Sequence, residues 1–186
     1  MKQHIFPAIK LTLVCLVFFS GIYTLIILGA AKFATNNGKG EIINANGKTY
    51  YANIGQKFTD DKYFYSRPSA VDYNAAGSSG SNKGPSNPEY LLMVQARIDS
   101  FLVHNPGIKK EEIPAELVTA SGSGLDPDLS PEGAKVQVKR IAAVRNMDET
   151  KILSLVDQQI QKPLLGFFGP PKVNVLKLNI ELDKLK

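Results

Sequence analysis

The 186-residue sequence has one cysteine and two histidines, and this scarcity excludes several kinds of site. Cys15 lies in an apolar run near the amino terminus, so neither a disulfide within the chain nor a site built on several thiolates is possible. His4 and His104 have no candidate triad or metal partner near them, and we interpret both as surface or capping residues. Asp126 and Asp128 form a D-x-D without the further ligands of a calcium loop, which indicates a turn. The sequence predicts no catalytic residue and no metal site.

Two common catalytic motifs are also missing. Residues 77–84 (GSSGSNKG) have the composition of a phosphate-binding loop, but they lack the G-x-x-x-x-G-K-[ST] spacing that places a lysine and a hydroxyl on a nucleotide and its metal. No serine has glycines two residues away on both sides, so the nucleophile elbow of the hydrolases is absent. An exported enzyme or a secreted binding protein therefore remains only a minor hypothesis.

An excess of positive charge is nearly absent from the folded part. The chain has 22 Lys+Arg and 17 Asp+Glu, but three of the lysines flank the apolar run near the amino terminus, which leaves 19 against 17. Those three are Lys2, Lys10 and Lys32. A net charge of about +2 does not support a nucleic-acid surface.

One long apolar run is present. Residues 11–31 contain no Asp, Glu, Lys or Arg, and as a helix these 21 residues would be about 30 Å long, which matches the hydrocarbon thickness of a bilayer. A cleaved signal peptide is the main alternative, because basic residues precede the run and Gly29-Ala30-Ala31 resembles a cleavage site. Lipid modification of Cys15 is a third, but Leu13 and Val14 are bulky where small residues would be needed. We favour an uncleaved transmembrane anchor, because a signal peptide has a shorter apolar core.

The position of the anchor predicts the layout of the chain. Basic residues on the two sides nearly balance, and a first apolar segment so close to the start usually exports the long domain behind it. We expect a short cytoplasmic amino terminus at 1–10, a transmembrane helix at 11–31, a spacer at 32–47 and an extracytoplasmic domain at 48–186. Small residues in the helix would allow close packing against other spans, and the candidates are Ser20, Gly21 and Gly29.

The remainder predicts an α+β domain. Short β-forming pieces occur at 42–43, 48–54 and 62–65, and residues 172–182 (KVNVLKLNIEL) alternate like a half-buried strand. Three helices are expected between them. The first two have the N-cap residues Asn87 and Ser130, and the third is expected to start at Asp148 and to run to about Gln161. Their predicted buried faces comprise Leu91, Val94, Ile98, Phe101 and Leu102, then Ala134, Val138, Ile141 and Ala142, then Ile152, Leu155, Val156 and Ile160. Strands before and after a block of helices are typical of an α+β arrangement.

Five separated motifs carry a resemblance that extends over nearly the whole chain. They are YFYSRPSAVDYN (63–74), SSGSNKGPSNP (78–88), LVTASGSGLDPDLSP (117–131), RIAAVR (140–145) and GPPKVNVLKLN (169–179). Together with a single amino-terminal span, they resemble the C-subunit family of the Kdp-type potassium-transporting P-type ATPases.

This resemblance implies a non-catalytic accessory subunit of an ATP-driven potassium importer in a prokaryotic plasma (inner) membrane. The implied partners are a channel-like potassium-binding subunit, a P-type ATPase subunit and a small single-span subunit. The chain lacks the D-K-T-G sequence on which P-type pumps are phosphorylated, so ATP and potassium would be used by the complex and not by this chain alone. No nucleic acid is implied.

The stretch around ASGSG (120–124) admits three interpretations. Its backbone amides could offer a phosphate site that raises the ATP affinity of the pump subunit. It could instead pack on the channel-like subunit near the extracytoplasmic potassium entrance, which the predicted topology favours, or it could simply form a tight turn before the Ser130 cap. The candidates in this loop are Thr119, Ser121, Gly122, Ser123, Gly124 and Asp126. The candidates for facing a partner are Arg67, Ser81, Asn82 and Arg140, although either arginine could instead pair with a carboxylate such as Asp72 or Asp126.

Overall fold

The computed structural model describes residues 2–45 and 47–185, which divide into two units between Ile43 and Asn44. The first unit is dominated by helix α1 (Ile5–Ala31), the one helix in the described residues that is long and apolar enough to cross a membrane. None of its side chains is buried within the chain. The helix begins six residues before the charge-free run at Leu11.

The middle of α1 departs from α-helical geometry. Val17–Tyr23 forms π-helical turns between α-helical segments at Ile5–Leu16 and Thr24–Ala31. Such turns widen a helix and disturb its regular hydrogen bonds. The Thr24 hydroxyl lies 2.6 Å from the carbonyl oxygen of Ser20 and 2.8 Å from that of Gly21, so it adds a side-chain hydrogen bond at the end of the wider turns.

A short hairpin follows helix α1, and the boundary between the two units falls within its first strand. Strand β1 (Ile42–Ala45) pairs with β2 (Lys48–Tyr51), which confirms two of the predicted β-forming pieces. The Thr49 hydroxyl donates to Asn44 Oδ1 at 2.9 Å across it.

The second unit is a mixed helical and sheet fold, as predicted. Five helices surround one apolar core: α2 (Pro88–His104), α3 (Pro131–Lys135), α4 (Val138–Arg145), α5 (Glu149–Gln159) and α6 (Val175–Lys184). Strands β3 (Asp128–Leu129) and β4 (Val173–Asn174) form a short antiparallel pair. Short 3-10 turns occur at Lys2–His4 in the first unit and at Ala75–Gly77, Lys110–Glu112 and Ala115–Leu117 in the second. The core comprises Phe64, Phe101, Leu117, Leu129, Ala134, Val138, Ile141, Ala142, Ile152, Leu155, Val156, Val173, Val175, Leu178 and Leu182.

The two predicted N-caps, Asn87 and Ser130, are confirmed, and the helix predicted to start at Asp148 is capped by that residue. Asn87, Ser130 and Asp148 each accept a backbone N–H of the first helical turn, so a donor that a helix end leaves unpaired is satisfied. The helix predicted after Ser130 is divided into α3 and α4, and its predicted apolar face is buried. The face predicted for α2 is only partly right, because Leu91 is 53% exposed.

The predicted final strand at 172–182 is wrong beyond Asn174. Only Val173–Asn174 pairs in a sheet, and the rest forms helix α6. Asn174 accepts the backbone N–H of Lys177 and caps this helix, while Val175, Leu178 and Leu182 form a buried stripe with helical spacing. The leucines at alternate positions fit a strand as well as a helix, and the cap formed by Asn174 favours the helix.

Residues 62–65 form no strand either. The backbone of Phe64 is paired instead with the side-chain amide of Asn179, which accepts from its N–H at 2.9 Å and donates to its carbonyl at 3.0 Å. Gln137 pairs with the backbone of Tyr65 in the same way, at 2.8 and 3.3 Å. Side chains of α6 and of the turn before α4 thus satisfy the backbone of this segment in place of a neighbouring strand.

Candidate functional site

Two serine-rich segments that are distant in sequence meet in the second unit. We call residues 119–126 the Gly-Ser loop. The Ser69 hydroxyl donates to the carbonyl of Gly124 at 2.7 Å, and the Ser78 hydroxyl donates to that of Ser123 at 2.9 Å. Three of the motifs that carried the resemblance therefore contribute to one surface region.

Glycine allows the two segments to approach closely. Gly124 has a φ of +69°, and a Cβ there would lie 2.6 Å from Val71 Cγ2 and 2.8 Å from the Ser79 carbonyl oxygen. A Cβ on Gly80 would lie 2.9 Å from the carbonyl oxygen of Gly122. A side chain at either position would separate the segments.

Several polar groups of the Gly-Ser loop are satisfied within it. Ser121 is buried, and its hydroxyl accepts the N–H of Gly124 at 2.9 Å. The Ser123 hydroxyl accepts the N–H of Leu125 at 3.1 Å. The amides of Gly124 and Leu125 are thus already donated inside the loop. The exposed part of the loop is its tip, Gly122 and Ser123.

Arg67 and Asp126 form an ion pair at the edge of this region. Arg67 Nη1 lies 2.7 Å from Asp126 Oδ2, and each side chain is about one-quarter exposed. Asp72 pairs instead with Lys57 on the surface. The Tyr73 hydroxyl donates to the carbonyl of Arg67, and burial raises the pKa of Tyr73 to about 12. Arg67 is therefore held in place from both its side chain and its backbone.

The other loop candidates lie at the margin. Asn82 is exposed with a left-handed φ of 51°, and Ser81 beside it is half-buried. Thr119 is also half-buried, and its hydroxyl donates to the carbonyl of Ala115 at 2.7 Å. Ser81 and Asn82 remain available for a contact with another protein.

Arg140 lies inside the fold, so this structure does not place it on a partner-facing surface. Its side chain is 2% exposed. It donates to Asn105 Oδ1 at 3.0 Å, to Gln137 Oε1 at 2.8 Å and to the backbone carbonyl of Asp61 at 2.7 Å, and it stacks on the Tyr65 ring at 3.9 Å. The carboxylate near Arg140 in this structure is that of Asp61, at 3.7 Å, and not that of Asp72 or Asp126.

Asp61 links this buried network to the surface. Its carboxylate accepts the Tyr65 hydroxyl and lies 2.8 Å from His104 Nδ1. The Tyr65 hydrogen bond is the main cause that lowers the pKa of Asp61, and burial is the main cause that raises the pKa of Tyr65 to about 12. Across residues 2–45 and 47–185, no three His, Cys, Asp or Glu side chains come together as a metal site would require. The geometry favours a structural role for this cluster.

The small residues of α1 are accessible within this chain. Ser20 and Gly29 are exposed, Gly21 is partly so, and a Cβ on either glycine would meet nothing within 4 Å. Their use in helix packing stays a prediction.

Comparison with known proteins decides the family. Residues 5–184 match the family described as KdpC, the c chain of K+-transporting ATPase. The chain belongs to the KdpC family. The resemblance inferred from the five motifs is confirmed, and membership makes the chain a subunit of a K+-transporting ATPase.

Individual KdpC relatives match from end to end. The potassium-transporting ATPase KdpC subunit of Flavobacterium psychrophilum is 58% identical over 99% of this chain and 100% of its own length. The subunit of the same name from Bacteroides fragilis is 53% identical over 99% and 98%. That of Bacillus cereus is 41% identical over 99% and 97%.

Proposed function

We propose that this chain is a non-catalytic accessory subunit of an ATP-driven potassium import complex. It stabilises the assembly of the channel-like and P-type subunits, together with the small single-span subunit, and it tunes activity at the potassium entrance. ATP and potassium are used by those partners. Membership of the KdpC family supports the setting, and the inward use of Arg140 and the loop serines supports a structural role.

The proposed topology places the amino terminus in the cytoplasm and the second unit outside a prokaryotic inner membrane. Helix α1 supports a single span, because it has 27 residues and none of its side chains is buried within the chain. A first apolar segment at the start of a chain usually exports the domain behind it.

The exposed tip of the Gly-Ser loop, Gly122 and Ser123, is the proposed contact with the channel-like subunit. The observation that carries this choice is the internal use of the loop amides, by the hydroxyls of Ser121 and Ser123. A phosphate that used the amides of Gly124 and Leu125 would have to displace both hydrogen bonds, whereas a protein surface can pack on the tip as it stands. Raising the ATP affinity of the pump subunit is the competing function.

Cysteine accessibility in intact cells tests this proposal. The variant carries Cys15→Ser to remove the native thiol and Ser123→Cys to report the loop tip, and it is labelled with a membrane-impermeant maleimide. We expect labelling without the channel-like subunit and protection when that subunit is co-expressed, because the tip would then be covered.

A matched control separates topology from contact. Ser154 is exposed on α5, and Ser154→Cys in the same background should label with or without the partner. Labelling of both positions only after cell lysis would overturn the topology and favour the nucleotide function. Equal labelling of Ser123→Cys with and without the partner would overturn the contact alone.

A further inference from the structure

A hairpin-like arm projects between α5 and β4. Its base is closed by Gln161 and Lys172, whose backbones exchange hydrogen bonds of 2.8 and 3.1 Å. Closer to the end, Leu164 and Phe168 exchange two more, each of 3.0 Å. We call residues 164–168 (LLGFF) the apolar tip. Its backbone is ordered by these bonds.

The side chains of the apolar tip point away from the core. The exposed fractions of the four large ones are 70% for Leu164, 75% for Leu165, 70% for Phe167 and 57% for Phe168. The rings of the two phenylalanines lie 4.3 Å apart, centroid to centroid, and no charged residue occurs from 163 to 171. Contiguous exposed apolar surface of this kind marks an interaction site in a folded protein.

Leu165 adds an independent observation. It has a φ of 55°, and the N–H of Gly166 donates to the carbonyl of Pro163 at 3.0 Å, so Leu165 is the third residue of a tight turn. Glycine or asparagine is favoured at a left-handed turn position, since a larger side chain costs about 1 kcal/mol or more there. Here a leucine occupies the position, and burial within the domain does not offset this cost. Contact of this side chain with an apolar environment outside the domain would offset that cost.

The chemistry of the tip favours lipid as that environment. Four side chains expose at most a few hundred Å², which is less than the roughly 800 Å² that each partner buries in a stable protein interface. Lysines flank the tip at Lys162, which is exposed, and Lys172, which also pairs with Asp128 at 2.6 Å. Apolar residues bordered by lysine fit the boundary between anionic headgroups and acyl chains.

The segment that joins α1 to the second unit, which we call the tether, keeps a bilayer within reach of that unit. Residues 32–43 separate α1 from the second unit, and 12 residues span at most about 40 Å even when fully extended. A membrane that holds α1 is therefore always available to the second unit, whichever side the unit occupies.

We propose that the apolar tip inserts into the headgroup and acyl-chain boundary of the bilayer that holds α1, as a second membrane attachment. This inference rests on the membrane anchor of the proposed function but not on its orientation. The tip would limit the rotation of the second unit on its tether and so fix which face it presents to other subunits.

The absence of tryptophan from the chain allows a direct test. Phe167→Trp introduces a single tryptophan at the tip, which can be excited selectively over the seven tyrosines. The full-length variant is reconstituted into vesicles of phosphatidylcholine and phosphatidylglycerol at about three to one, with or without brominated acyl chains, which quench tryptophan on contact. Since no other subunit is present, a partner protein cannot produce the signal.

The control is Val144→Trp, at a residue of α4 that is 53% exposed and outside the arm. We expect the tip tryptophan to lose about half of its emission in brominated vesicles, as shallow insertion would cause, and the control to lose almost none. Retention of the chain after alkaline extraction of the vesicles checks the anchor separately.

Two results would overturn the inference. If the chain resists extraction but the tip tryptophan is not quenched more than the control, the anchor stands and the tip does not touch lipid. If the chain is extracted and neither tryptophan is quenched, the anchor itself fails and the second attachment fails with it.

Discussion

The Gly-Ser loop is more buried, and the apolar tip more exposed, than their compositions suggest. The polar loop is folded inward, where Ser121 is buried and its hydroxyl holds the backbone of Gly124. The apolar tip is directed outward, with Leu165 three-quarters exposed. Exposure in this chain therefore depends on where each segment finds its partners and not on its average hydropathy.

Energetically, the two segments depend on opposite kinds of contact. The Gly-Ser loop draws its stability from close packing and hydrogen bonds inside the domain, so changes there should destabilise folding. The apolar tip makes few internal contacts, so changes there should affect folding little and attachment more. Three substitutions test this difference, from the largest expected effect to the smallest: one in the Gly-Ser loop, one in the segment packed against that loop, and one in the apolar tip.

Gly124→Ala should destabilise folding by about 2 to 4 kcal/mol. Alanine would have to adopt the left-handed backbone conformation of Gly124. Its Cβ would also collide with the backbone of Ser79 and the side chain of Val71. Chemical denaturation measures the effect. Gly122→Ala, two residues away, is the control, because a Cβ there meets nothing within 4 Å and the free energy of unfolding should change by no more than about 0.5 kcal/mol. Equal effects at both positions would show that the loop is not closely packed.

Tyr73→Phe should cost about 1 to 2 kcal/mol at pH 8, because the hydrogen bond to the Arg67 carbonyl is lost. The folded pKa of Tyr73 is raised to about 12, above the usual value near 10, so the stability that this hydroxyl contributes is present below pH 10. It is lost as the pH rises from about 10 to about 12. Thermal melts of both proteins across this range should converge, and a difference that stays constant with pH would contradict the assignment.

Leu165→Asn should stabilise folding by about 0.5 to 1 kcal/mol, because asparagine tolerates the positive φ that leucine does not. Leu164→Asn is the matched control, since Leu164 is equally exposed but does not have a positive φ, and no gain is expected there. Both free energies come from denaturation in the absence of lipid. A loss of stability at Leu165 would mean that its side chain packs within the domain after all.

Local signals in the sequence predicted the helix starts correctly. Asn87, Ser130 and Asp148 act within one turn of the chain, so their role needs no knowledge of the rest of the fold. Residues 175–182 were predicted as a strand but form a helix, because the sequence fits both. The leucines from 176 to 182 follow a period of two, whereas Val175, Leu178 and Leu182 follow a helical period. Asn174 is the N-cap of this helix, but the alternating pattern around it favours a strand.

The candidate site was harder to predict because its contacts are distant in sequence. Arg140 meets Asp61 and Asn105, which are 79 and 35 residues away, and no periodicity reports such pairs. One signal was available: Gln137 lies on the buried face between Ala134 and Ile141, and a polar residue there indicates a buried hydrogen bond. Exposure of the apolar tip had no such signal, since its sequence resembles that of a core segment.

The amide pairing of Phe64 and Tyr65 has a consequence for how this segment can misfold. A strand held by another strand can slip by one residue and exchange its inner and outer faces while keeping most of its hydrogen bonds. Here Asn179 on α6 and Gln137 in the turn before α4 each hold one residue of the segment. A shift by one residue would detach both amides at once, so the segment has a single register and Phe64 a single inward position.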